Sequence, residues 1–232
     1  MAHRGSWRCD VAGIENTLPA FNCTIDRLGS KLHGFECDFR QLSMNDPTSW
    51  VVFHDETMDR FTGQPTAINL EQPLLTTNLN LKIPQLIDFC HWIQKVGVPI
   101  VINIELKIGS SAGLAYLIDQ LNMVNTHGNV RFIFSSFKFE IMRDLISQHQ
   151  LLSLGFLIQN EEDINELHIA QNLTPNVVFV AIAYERYTRD IAMKLKALQF
   201  PIGIYFLTHD SFLRYRMDVE RDLDVSFIFL ED

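Results

Sequence analysis

Pro99-Ile100-Val101-Ile102-Asn103-Ile104-Glu105-Leu106-Lys107 is a nearly continuous apolar run that ends in two charged side chains of opposite sign. Such a run reads as a strand buried on both faces, and strands of that kind belong to parallel sheets covered by helices. Successive residues of a strand face opposite sides, so Glu105 and Lys107 project together. An acid at the end of so apolar a strand is costly to bury unless something compensates it. A local Glu–Lys pair at a strand mouth would do so, and so would a bound cation.

Outward from this run the pattern repeats. Toward the C-terminus the sequence predicts a helix over about 111–126, a strand over 130–135, a helix near 138–149 and a strand over 152–158. Glu161-Glu162-Asp163 then places acids at a helix start, where they complement its dipole, and Pro175-Asn176 ends that unit. A strand over 177–182, a helix near 188–199, a strand over 201–207 and a last strand over 225–230 follow. Toward the N-terminus, Pro84 opens a helix over 84–93, and residues 56–83 form a polar excursion. Trp50-Val51-Val52-Phe53 is a short extended piece, 33–39 a strand, and 17–28 a helix. With His3 taken as the end of a first strand, there are about eight β units. A single (β/α)8 barrel over residues 1–232, with a small insertion after the second strand region and short terminal elements, accounts for that count. An open doubly wound sheet also tolerates it.

Composition agrees with one well-packed domain. The 232 residues are 47% hydrophobic and include 17 Phe, enough to bury a large core. A net charge of −9, without any Lys/Arg run, excludes a nucleic-acid or anionic-membrane surface, because either needs a basic face. No apolar run reaches the roughly 20 residues of a spanning helix, and no signal-like segment stands out, so the expected location is cytoplasmic. Cys9, Cys23, Cys37 and Cys90 are scattered without a Cys-x-x-Cys pair, which predicts structural thiols in a reducing compartment.

Five polar motifs sit where strands are expected to end: His3-Arg4-Gly5, Glu15-Asn16-Thr17, Glu36-Cys37-Asp38, His54-Asp55 and Glu105-Leu106-Lys107. Glu36 and Asp38 share a face from which Cys37 is excluded, and two carboxylates held together repel unless a cation lies between them. Glu105 would make a third oxygen ligand, and an all-carboxylate set favours Mg²⁺ or Ca²⁺ over zinc. His3 and His54 are candidate proton carriers, while Arg4 and Lys107 suit a phosphate. Gly5 lets the backbone turn sharply beside Arg4. Together these are the parts needed to hydrolyse a phosphate ester. Histidines 33, 91, 127, 149, 168 and 209 read as structural or surface residues, with His209 a weak candidate because it follows the seventh strand.

The motifs above, extended to Glu15-Asn16-Thr17-Leu18-Pro19-Ala20-Phe21, Gly34-Phe35-Glu36-Cys37-Asp38, Val51-Val52-Phe53-His54-Asp55-Glu56 and Ser135-Ser136-Phe137, resemble the glycerophosphodiester phosphodiesterase family. The resemblance runs over roughly residues 2–140. It implies a TIM-barrel enzyme using one divalent metal, Mg²⁺ or Ca²⁺, that cleaves small-molecule glycerophosphodiesters to sn-glycerol 3-phosphate and an alcohol. By position it makes Glu36, Asp38 and Glu105 the metal ligands, His3 and His54 the acid–base pair, and Arg4 and Lys107 the phosphate contacts. Glu15 and Asn16 then support the first loop, with Glu15 near the metal. A lysophospholipase-D-like transphosphorylation, or a barrel that binds a phosphodiester without turning it over, are the alternatives. The sequence departs from the family where only Met1 and Ala2 precede His3, and at the seventh strand, where Tyr205 stands as an aromatic wall for glycerol or as ordinary core.

Overall fold

A computed structural model describes residues 1–5, 15–29, 33–59, 67–68, 82–149, 151–171, 176–206 and 225–228. His209, Cys9 and most of the polar excursion over 56–83 lie outside these residues. The chain divides into two compact units, Ala2–Arg131 and Phe132–Asp232, with Met1 grouped with the second.

In the first unit, helix α1 (Leu18–Leu28) begins where Thr17 accepts a hydrogen bond from the Ala20 amide and a proline occupies the first turn. Strand β1 (Gly34–Gln41) pairs antiparallel with β2 (Trp50–Val52) and parallel with β3 (Ile100–Ile108). Helix α2 (Leu86–Ile93) starts at a capping box, in which the Gln85 amide donates to Asp88 Oδ2 at 3.0 Å. Helix α3 (Ser111–Val124) starts where Ser110 Oγ accepts from the Gly113 amide at 3.1 Å.

The parity read from the sequence holds along β1. Phe35, Cys37 and Phe39 are fully buried. Phe35 stacks on Phe21 of α1 with ring centres 4.7 Å apart, and Phe39 meets Phe89 of α2 edge-on at 5.1 Å. Rings packed this way contribute beyond their buried area. They fix the face of β1 that meets the helices, and therefore the opposite face that carries Glu36 and Asp38.

The second unit alternates in the same manner. Strand β4 (Val130–Ser136) starts at the unit boundary and is followed by α4 (Phe139–Gln148), β5 (Leu154–Ile158), α5 (Asp163–Gln171), β6 (Val177–Ala183), α6 (Arg189–Ala197), β7 (Ile202–Tyr205) and β8 (Val225–Ile228). Consecutive strands from β4 to β8 pair parallel. Parallel strands joined through helices are the repeating unit of an α/β barrel.

Two expectations are corrected. Instead of a first strand ending at His3, a single parallel bridge joins Ala2 to Phe35, and His3–Gly5 is a turn of 3-10 helix. The backbone reverses at Arg4 (φ +49°) and Gly5 (φ +67°), which takes the chain away from β1 after this bridge. Cys37 and Cys90 are thiols as expected, but Cys23 is disulfide-bonded. Scattered spacing does not reveal which cysteines the fold brings together.

Candidate active site

The site residues of the first unit are placed by three strands and two loops. Ala2 hooks the chain start to β1: its amide donates to the Gly34 carbonyl at 3.1 Å, and its carbonyl accepts from the Glu36 amide at 2.9 Å. The backbone then reverses through Arg4 (φ +49°) and Gly5 (φ +67°). A Cβ on Gly5 would lie 2.0 Å from the Phe21 ring, so the turn needs glycine for its space as well as its φ. Thr24 Oγ1 of α1 donates to the Gly5 carbonyl at 2.8 Å and pins the turn.

This reversal aims Arg4 inward. Its amide donates to Glu36 Oε2 at 2.8 Å, its Nη1 donates to Glu15 Oε1 at 2.8 Å, and its Nε lies 3.6 Å from Asp38 Oδ2. Glu15 therefore holds Arg4. Asn16 is also left-handed, at φ +59°, a conformation asparagine tolerates better than most residues. There it clamps Asp38 from both sides, donating from Nδ2 to Asp38 Oδ2 at 2.7 Å and accepting from the Asp38 amide at 3.0 Å.

Register brings the strand acids together. Asp38 is the partner of Glu105 across the β1–β3 ladder, and Glu36 the partner of Asn103. One carboxylate oxygen from each of Glu36, Asp38 and Glu105 lies within 4.8 Å of the other two, and all three residues are buried. Lys107 Nζ is 3.0 Å from Asp38 Oδ1 and also bonds Glu105 Oε1.

Both histidines border this cluster. His3 Nε2 lies 3.9 Å from Glu36 Oε2. His54 follows β2 and shares a 2.6 Å hydrogen bond between its Nδ1 and Asp55 Oδ1, while Arg40 Nη2 donates to the His54 carbonyl at 3.1 Å. Sequence reasoning gave Asp55 and Arg40 no role. The adjacency of Asp55 to His54 was a signal for the first; nothing in the sequence pointed to the second.

Charge and burial compete throughout. Burial pushes Glu36 well above the usual carboxylate range, and Asp38 and Glu105 beside it push the same way. Burial likewise raises Glu105 to about 7, against the opposing pull of Lys107. Burial would raise Asp38 too, but Lys107, His54 and Arg4 overcome it and hold Asp38 well below its ordinary value. Burial, with Arg4 adding to it, lowers His3 to about 4, and burial also lowers His54. Both imidazoles are thus biased toward the neutral form, and both feel the charges of Asp38, Arg4 and Lys107.

Three buried oxygen donors suit a hard divalent cation of the Mg²⁺ or Ca²⁺ type. The fit is supported by Glu36, whose buried Oε1 has no hydrogen-bond partner and whose ionised form is penalised without a positive neighbour. Tyr205 belongs to the second unit, where its hydroxyl donates to the Ile158 carbonyl at 3.2 Å and its ring meets Phe137 edge-on at 5.8 Å.

No known family model matches the sequence, and no curated protein matches it either. Solved structures do match. A phosphodiesterase of Oleispira antarctica, in complex with the product sn-glycerol-3-phosphate, superposes with a TM-score of 0.74 at 19% identity, covering 98% of this chain and 90% of its own. The chain has the fold of the glycerophosphodiester phosphodiesterases. A putative glycerophosphodiester phosphodiesterase of Galdieria sulphuraria gives a TM-score of 0.75 at 19% identity, covering 98% of this chain and 91% of its own. One from Parabacteroides distasonis gives 0.70 at 18% identity, with coverages of 98% and 90%. The fold of the glycerophosphodiester phosphodiesterases therefore extends over nearly the whole chain, whereas the motifs suggested it only for residues 2–140. No described helix is long and apolar enough to cross a membrane.

Proposed function

We propose that this chain is a divalent-metal-dependent glycerophosphodiester phosphodiesterase, one domain over residues 1–232, releasing sn-glycerol 3-phosphate and an alcohol. The observation that carries the reading is the convergence of Glu36, Asp38 and Glu105 to within 4.8 Å, with His3 beside Glu36. The sn-glycerol-3-phosphate held by the Oleispira phosphodiesterase of the same fold supports the choice of substrate class.

Glu36, Asp38 and Glu105 would hold the metal. A divalent ion held there would supply positive charge against the charge that develops during the reaction. Arg4, braced by Glu15, orients a phosphate through its planar guanidinium, and Lys107 adds a second cation. His3, kept neutral by burial and by Arg4, accepts the proton of the substrate's glycerol hydroxyl as that oxygen bonds to phosphorus and closes a cyclic phosphate. His54, whose protonated form Asp38 and Asp55 favour against the pull of burial, delivers a proton to the departing alkoxide as its P–O bond breaks, and water then opens the cyclic phosphate with the two histidines exchanging roles. A buried, neutral His3 and a carboxylate-paired His54 support this division of labour.

Glycerophosphocholine with added Mg²⁺ or Ca²⁺ tests the proposal, with products followed by phosphorus NMR. Glycerol 3-phosphate should appear, and both EDTA and His54→Ala should abolish it. Rates unchanged by either treatment would refute the reading.

A further inference from the structure

Asn103 lies on the floor of the acid cluster and is used by none of the chemistry above. It stands on β3 two residues before Glu105 and four before Lys107, so the three side chains share a face. It is 1% exposed, and neither its Nδ2 nor its Oδ1 has a hydrogen-bond partner. Across the ladder its register partner is Glu36, whose Oε1 is likewise buried and unpartnered. The other oxygen of that carboxylate, Oε2, already accepts from the Arg4 amide at 2.8 Å.

Buried amides are almost always hydrogen-bonded in folded proteins, directly or through an ordered water, and each exception calls for a cause. Here an orphaned donor and an orphaned acceptor sit on register partners of adjacent parallel strands, which lie about 4.8 Å apart. We propose that Asn103 is a positioning residue for Glu36: its Nδ2 serves Glu36 Oε1, directly or through one buried water, and so fixes the plane of the carboxylate presented to the cation. The Arg4 amide holds Oε2, and Asn103 steadies Oε1. Asn16 performs the equivalent service for Asp38. Such supporting hydrogen bonds orient ligating carboxylates and typically change metal affinity 10–100-fold when removed. The inference rests on the reading of the acid cluster as a divalent-cation centre.

The test combines calorimetric titration of Mg²⁺, Ca²⁺ and Mn²⁺ with a high-resolution crystal structure of the metal-free wild type. Asn103→Leu, nearly isosteric and apolar, should weaken binding of the cations about 10–100-fold. Its metal-free melting temperature should fall modestly, since Glu36 Oε1 loses its partner. Asn103→Ser, which keeps a hydroxyl and leaves room for a water, should recover most of the affinity, and it serves as the probe if the leucine variant does not fold. In the wild-type crystal, Asn103 Nδ2 should contact Glu36 Oε1 or share a water with it. Wild-type affinity in Asn103→Leu, or an Asn103 amide bonded only elsewhere, would overturn the proposal. A wild type that binds no divalent ion would refute the metal reading instead, and the amide contact in the crystal would still decide the role of Asn103.

Discussion

Lys107 reaches back across the β1–β3 ladder to Asp38, with Nζ 3.0 Å from Oδ1, while also bonding Glu105 on its own strand. The lysine therefore neutralises two of the three acids that would bind a metal. A cation must share these carboxylates with Lys107 or turn it away.

Replacing Lys107 with Met should have opposite effects on stability and metal binding. Without metal, Asp38 and Glu105 lose their buried counter-charge, a change that costs about 3–5 kcal/mol when one partner of a buried pair is removed. With metal, the competing cation is gone, so calorimetry should give tighter binding than in the wild type, while turnover falls because the phosphate loses a contact. Weaker metal binding together with a normal melting temperature would contradict this picture.

Above about pH 6.5 the stability of the metal-free protein should fall as pH rises. Glu105 titrates at about 7 when folded, against about 4.3 in an unfolded chain, so the folded state binds the proton more tightly. The stability this contributes is full below the unfolded value and is lost as pH climbs to about 7. Glu36, also raised, acts in the same direction; Asp38, depressed, opposes only at the acid end, and His3 and His54, both lowered, oppose below about pH 6.5. Urea denaturation between about pH 6.5 and 8 with a chelator present measures the slope. Saturating metal should flatten or reverse it, and metal binding near pH 6 should release protons, seen as a buffer-dependent calorimetric heat.

Asn16→Ala removes both hydrogen bonds to Asp38. The change also places alanine at φ +59°, a conformation that suits it poorly. A loss of about 1–3 kcal/mol in denaturant unfolding is expected from the unsatisfied Asp38 groups, with metal affinity reduced about 10–100-fold.

Gly5→Ala should be among the more damaging small substitutions. The added methyl would meet the Phe21 ring at 2.0 Å, in a backbone that is left-handed at φ +67°. Overpacking alone costs about 1–3 kcal/mol, and the φ penalty adds roughly 1 kcal/mol. Thermal unfolding should show the loss, whereas Gly29→Ala, with nothing within 4 Å of its added Cβ, should lose less even at φ +47°.

How far the sequence carried depends on the kind of information each feature needed. The facing of Glu36 and Asp38, and the exclusion of Cys37, follow from the two-residue period of a strand, and β1 obeys it. The alternation of helices and buried strands was legible for the same local reason. Register between strands was not, because it is set by long-range packing, and the pairing of Lys107 with Asp38 across the ladder depends on it. The left-handed turn at Arg4 was equally hidden, since Gly5 marked a bend without saying that its neighbour would share it. Cys23 shows a third limit, for its pairing depends on a close approach that spacing does not encode. Ala2 shows a fourth: one bridge to Phe35 holds the start of the chain where the count of β units asked for a strand.

The most direct test of the central claim is a crystal structure of the protein soaked with Mn²⁺ and glycerol 3-phosphate, with the ion located by its anomalous scattering. The account predicts one ion bound by oxygens of Glu36, Asp38 and Glu105 and touching the phosphate, with Lys107 withdrawn from Asp38 toward the ligand. An ion bound elsewhere, or a phosphate seated away from these acids while Lys107 keeps its contact with Asp38, would contradict it.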